Sequence, residues 1–175
     1  ILEHQTPEHV RNAIWWSLFA TPVAGITYGA NGIWPWVEED GGPILNHRQA
    51  PWTVSWKHSL DLPVSLEMEY LYEFMDQFDW WEFYPDKELL MEQPGDEQYD
   101  AYVGVLSNQD RSQVLVYIPK NGTVRIRNPY QLTYEARWFD PMRNSYSSAD
   151  VTAAPGMLTV TQNHDTGMIL ILSTN

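Results

Sequence analysis

The chain has 175 residues, 43% of them hydrophobic and 14% aromatic, which is enough apolar side chain to pack a core in one or two domains. Acidic residues outnumber basic ones 23 to 10, and the formal charge of −13 argues against a nucleic-acid or anionic-membrane partner. The absence of cysteine excludes disulfides and thiol chemistry, and no apolar run reaches the roughly 20 residues of a bilayer span. The opening ILEHQTPEH has no initiator methionine, no basic n-region and no apolar h-region, so the expectation is a chain cut from something longer.

Two parts of different kind are expected, residues 1–85 and 86–175. Eight of the nine tryptophans precede Asp86. Thr6, Pro7 and Glu8 provide a hydroxyl cap, a proline for the first turn and an acid near the helix start, predicting a helix over 6–20 that Thr21-Pro22 ends. Val10, Ala13, Ile14, Ser17 and Leu18 share one face of it. A short apolar strand, Ala24 to Tyr28, then runs into TYGANGIWPW, Thr27 to Trp36. There Gly29 and Gly32 permit sharp turns, Tyr28, Trp34 and Trp36 offer flat faces, and Asn31 supplies an amide. Aromatic planes cover the C–H faces of a sugar ring while amides and carboxylates bond its hydroxyls, so the cluster suggests carbohydrate. Core tryptophans are the alternative. Residues 37–60 form a long polar and aromatic excursion that includes the acidic run Glu38-Glu39-Asp40, Trp52, Trp56 and His58. A second helix is expected over 63–83, with Leu71, Phe74, Met75, Phe78 and Trp81 as an apolar stripe that needs a sheet to cover it. Since one short strand cannot do so, the stripe is expected to pack on protein outside these 175 residues.

After Asp86 the pattern changes to period two, with runs at about 100–107, 112–119, 123–128, 132–139, 157–162 and 168–173, predicting an antiparallel sandwich. Within VLVYIPKNGTVRIR, Asn121-Gly122 predicts a tight hairpin turn, and Asn121-Gly122-Thr123 also matches a glycosylation acceptor. Arg137-Trp138-Phe139-Asp140-Pro141 is read as a structural corner in which Arg137 pairs with an acid. Five histidines show no i,i+4 zinc spacing, Glu38-Glu39-Asp40-Gly41 lacks the alternation of a calcium loop, and there is no Gly-x-Ser-x-Gly elbow. No metal or cofactor is expected.

HQTPEHVRNAIWWSLFATPVAGITYGANGIWPW followed by LDLPVSLEMEYLYEFMDQFDWWEFYPD resembles the end of the catalytic barrel in apiosidase-like glycoside hydrolases. The later VLVYIP, ARWFDPMRNSY and MLTVTQNHDTGMILIL resemble the β-sandwich that follows that barrel, often labelled collagen-binding. The resemblance implies an α/β plus all-β chain: the last helices and strand eight of a (β/α)8 barrel in 1–85, then the sandwich in 86–175. Active sites of such barrels lie at the carboxyl ends of the strands. By resemblance, Glu3 at the end of strand seven is an acidic catalytic residue, acid/base or nucleophile, and His4, Tyr28, Asn31, Trp34, Trp36 and Trp52 are the candidate substrate contacts. Glycosidases use two carboxylates, and the second would lie upstream of Ile1. The partners implied are a carbohydrate substrate and the rest of the barrel, as a separate chain or an upstream segment, with a secreted or periplasmic location. The competing reading is a non-enzymatic carbohydrate- or protein-binding or structural protein working through the sandwich.

Overall fold

The computed structural model of the chain describes residues 5–21, 23–44 and 53–174. Helix α1 spans Pro7–Ala20 and starts as its sequence dictates: the Thr6 hydroxyl accepts the His9 N–H at 3.2 Å, and the His9 ring takes the Thr6 N–H at 3.4 Å. Its buried face is Arg11, Asn12, Trp15 and Phe19, rotated from the expected stripe, and Ala13 and Ser17 are exposed. Trp15 and Phe19 carry more apolar area than the small residues beside them, so burying them sets the rotation. A short helix α2, Trp56–Leu60, precedes α3, Pro63–Met75. Helix α3 stops well before Phe83. Beyond it comes the single turn Trp80–Glu82, which leaves Trp81 exposed and delivers Phe83 into the core.

Among the described residues nine strands follow: β1 Tyr84–Pro85, β2 Gly104–Ser107, β3 Gln113–Ile118, β4 Gly122–Arg127, β5 Glu135–Asp140, β6 Ser145–Ser148, β7 Val151–Ala154, β8 Met157–Gln162 and β9 Met168–Ser173. They form a six-stranded sheet, β1-β2-β3-β9-β5-β6, facing a three-stranded sheet, β4-β8-β7, with every pair antiparallel. The sandwich is as expected, but the hairpin across Asn121-Gly122 is not formed. Strand β3 pairs with β2 and β9, whereas β4 pairs with β8 in the opposite sheet. Strand β3 is apolar on both faces and suits a central position, while β4 buries only Val124 and Ile126 and turns Thr123, Arg125 and Arg127 to solvent. The NG turn therefore carries the chain from one sheet to the other. The RWFDP corner also differs: Asp140 pairs with Arg143 at 2.6 Å, and the Arg137 guanidinium lies 5.3 Å from the centre of the Tyr146 ring.

Alternation along the central strands builds two cores. Val114, Val116, Ile118, Leu170 and Leu172 point between the sheets, with Trp138, Ile126, Leu158 and Val160. Leu115, Tyr117, Phe139, Ile169 and Ile171 point the other way and meet Trp15, Phe19, Leu71, Phe74 and Phe83. Phe74 stacks on Phe139 at 4.5 Å, and Trp15 stacks on Tyr117 at 6.0 Å. This corrects the expectation that the α3 stripe requires foreign protein, because the sheet that covers Leu71 and Phe74 is the chain's own. Gly104 permits the close approach, since a Cβ there would come within 2.6 Å of the Phe19 Cβ. Between the helices, Arg11 donates to both Glu67 oxygens at 2.6 Å, a buried fork-to-fork pair.

The expected strand eight, Ala24–Tyr28, joins no ladder among the described residues; it contributes half-buried Ile26 to the helix-facing core. A strand is stable only beside a neighbour, and no described residue pairs with this segment.

Candidate functional site

The glycine loop folds on itself through short-range bonds. Ile33 and Trp34 N–H groups donate to the Ala30 carbonyl, Trp36 N–H to Ile33, and Val37 N–H to Gly32. Gly32 is buried against the chain that returns at Val54 and Ser55. A Cβ there would lie 2.1 Å from the Val54 carbonyl oxygen, so only glycine fits. Gly29 lies close beneath Trp34, with the indole nitrogen 2.7 Å from where a Cβ would sit.

The second half of the loop is pinned to residues 53–58. Gly41 donates to the Thr53 carbonyl at 2.7 Å and Trp56 to the Val37 carbonyl at 2.8 Å, and buried Val37 and Ile44 make a small apolar cluster. Asn31 donates to the Thr53 hydroxyl at 3.2 Å. Asp40 is the polar anchor: one oxygen accepts the Ser55 N–H at 2.7 Å and the other meets His58 Nδ1 at 3.2 Å. The Ser55 N–H, and then the His58 ring, hold the Asp40 carboxyl below its ordinary range. By charge alone the Glu38-Glu39-Asp40 run suggests a solvated stretch. Its third member is instead a structural clasp.

Two indoles project from this frame, with Trp34 79% exposed and Trp36 59% exposed. Trp36 adopts a left-handed backbone, φ 53°, and its ring stacks on Trp56 at 4.6 Å and 16°. Lys57 Nζ sits 5.5 Å from the centre of the Trp56 ring. Half-buried Tyr28 precedes the turn. The structure thus gathers Asn31, Trp34 and Trp36 on one braced loop and adds Trp56, which sequence reading left as one aromatic of the excursion. Nothing in the local sequence gives the pairing of residues 20 positions apart. Glu3, His4 and Trp52 lie outside the described residues. Among the described residues no three His, Asp or Glu side chains gather as metal ligands, and no helix is long and apolar enough to cross a membrane.

The family model for the apiosidase-like catalytic domain matches residues 2–82, the portion that carries this loop and both helices. Over those residues the chain is similar to an apiosidase-like catalytic domain. A solved glycoside hydrolase superposes on the whole chain with a TM-score of 0.79 at 20% identity, covering 99% of this chain and 38% of its own. A glycoside hydrolase family 5 protein from Bacteroides vulgatus gives the same TM-score and identity, with 98% and 37% covered. At that identity the likeness is one of fold, and it takes in the sandwich as well as the apiosidase-like segment. The chain spans well under half the length of either structure. No curated protein matches the chain.

Proposed function

We propose that this chain is the carboxyl-terminal portion of a glycoside hydrolase that cleaves complex polysaccharide. The observation that carries the reading is the pair of exposed indoles, Trp34 and Trp36, held on a braced loop inside the apiosidase-like segment. Two exposed aromatic planes on a braced loop suit stacking against a sugar's C–H face. In this reading Trp34, Trp36 and Tyr28 wall the cleft, and Asn31, His4 and Trp52 contribute further substrate contacts. Glu3 acts as acid/base or nucleophile, and the remainder of the barrel supplies the second carboxylate. Polysaccharide outside the cell makes a secreted or periplasmic protein the natural setting.

The competing role for the sandwich, as a free binding module, loses support from packing: one face of its larger sheet is already covered by α1 and α3. The test is hydrolysis by the completed protein carrying Glu3→Gln, which keeps shape and removes the titrating group. Activity should fall about 10²–10⁴-fold while sugar binding persists. Activity within a few-fold of the parent would overturn the assignment.

A further inference from the structure

A cleft of about 250 Å³ opens where the end of α1 meets the start of the sandwich, and the tryptophan loop contributes nothing to its lining. Phe19, Leu90 and Tyr102 give it an apolar side; Lys87, Gln93 and Asp96 give it a polar one. Its wall is rigid. The Gln93 amide donates to the Val103 carbonyl at 2.9 Å while its oxygen accepts the Val103 N–H at 2.8 Å and the Gly95 N–H at 3.0 Å. The Tyr102 carbonyl accepts the Trp16 indole N–H at 2.8 Å, and Gly95 packs so tightly on Tyr102 that a Cβ would come within 2.7 Å of its side chain. Gln93 is thus spent on the backbone. The Lys87 ammonium, the Asp96 carboxylate and the Tyr102 hydroxyl are different: among the described residues none has a hydrogen-bond or ion-pair partner.

The volume is below the roughly 300–1,000 Å³ of sites for drug-sized ligands, so the occupant is about one ring in size. Its charge is constrained from both sides. An anion would meet Asp96, and a cation would meet Lys87. A hydroxyl accepts from an ammonium and donates to a carboxylate, so a neutral polyol satisfies both, while a C–H face covers Phe19 and Tyr102. We infer that this cleft is a second sugar site, taking a single neutral sugar ring and separate from the tryptophan loop.

The experiment is an amide-resolved NMR titration of the chain with D-galactose, D-xylose and L-rhamnose, with glycine as a zwitterionic control. A saturable shift of the Gly95, Tyr102 and Val103 amides by at least one sugar is expected. Lys87→Met and Asp96→Ala, both at exposed positions, should each weaken it about tenfold with the rest of the spectrum unchanged. No saturable shift at these amides with any of the three sugars would overturn the proposal. So would an equal response to glycine, or variants that bind like the parent. Hydrolysis by the completed protein carrying Lys87→Met should stay at the parent rate, which separates failure here from failure of the glycosidase reading.

Discussion

Trp34 and Asp40 illustrate how single residues act in the loop. Trp34 is exposed above Gly29, and removing its face by Trp34→Ala should cost roughly tenfold in sugar affinity while leaving the turnover of bound substrate nearly unchanged. Binding by calorimetry beside single-turnover hydrolysis in the completed protein separates the two effects. Gly32→Ala should act differently, because its Cβ collides with backbone and the pinned return at Val54–Ser55 must move. The expected result is loss of the near-ultraviolet dichroism of the Trp36–Trp56 stack. Asp40 adds a pH dependence. Its folded pKa is lowered, so its contribution to loop order is present above the unfolded value and is lost as pH falls through the folded one. The same dichroism should therefore fade on acidification below the ordinary carboxylate range, and Asp40→Asn should remove that transition.

At the scale of elements, α1 and α3 are joined by the Arg11–Glu67 pair, whose side chains are 5% and 9% exposed. Breaking one partner leaves the other charge buried, so Glu67→Ala should cost about 3–5 kcal/mol in urea denaturation. The double variant Arg11→Met with Glu67→Leu should recover most of that loss, because apolar side chains fill the gap without a stranded charge. The pair was hidden in the sequence: Glu67 shares the Leu71–Phe74 face by spacing, but a carboxylate is not an expected core residue, and only the partner 56 residues away permits its burial. The β3–β4 link was misread for a related reason. A local Asn-Gly signal specifies a turn, but which sheet each strand joins depends on how many of its faces find cover.

For the whole molecule, the helix-facing core makes the apiosidase-like segment and the sandwich interdependent. Trp15, Phe19, Leu71 and Phe74 are covered by Leu115, Tyr117, Phe139, Ile169 and Ile171, each large side chain being worth roughly 1.5–3 kcal/mol of burial. Residues 5–82 expressed without the sandwich should aggregate or bind hydrophobic dyes, and a soluble monomer with a sharp melting transition would refute this interdependence. Tyr117 belongs to the same seam. Burial pushes its hydroxyl well above its ordinary pKa, and the hydroxyl donates to Asn12 on α1.

The sequence by itself determined the start of α1, the change from helical to two-residue period near Pro85, and the glycine-punctuated tryptophan loop. Each rests on contacts within a few residues, such as the Thr6 cap, strand alternation, or a glycine at a tight turn. Tertiary structure alone decided which face of α1 is buried, which sheet takes β4, what covers the α3 stripe, and that Trp36 stacks on Trp56. Those outcomes depend on pairing between residues far apart in the chain, where the energy belongs to the partner as much as to the residue. The segment Ala24–Tyr28 shows the limit of local pattern, because an apolar run of strand character pairs with nothing until a neighbouring strand lies beside it.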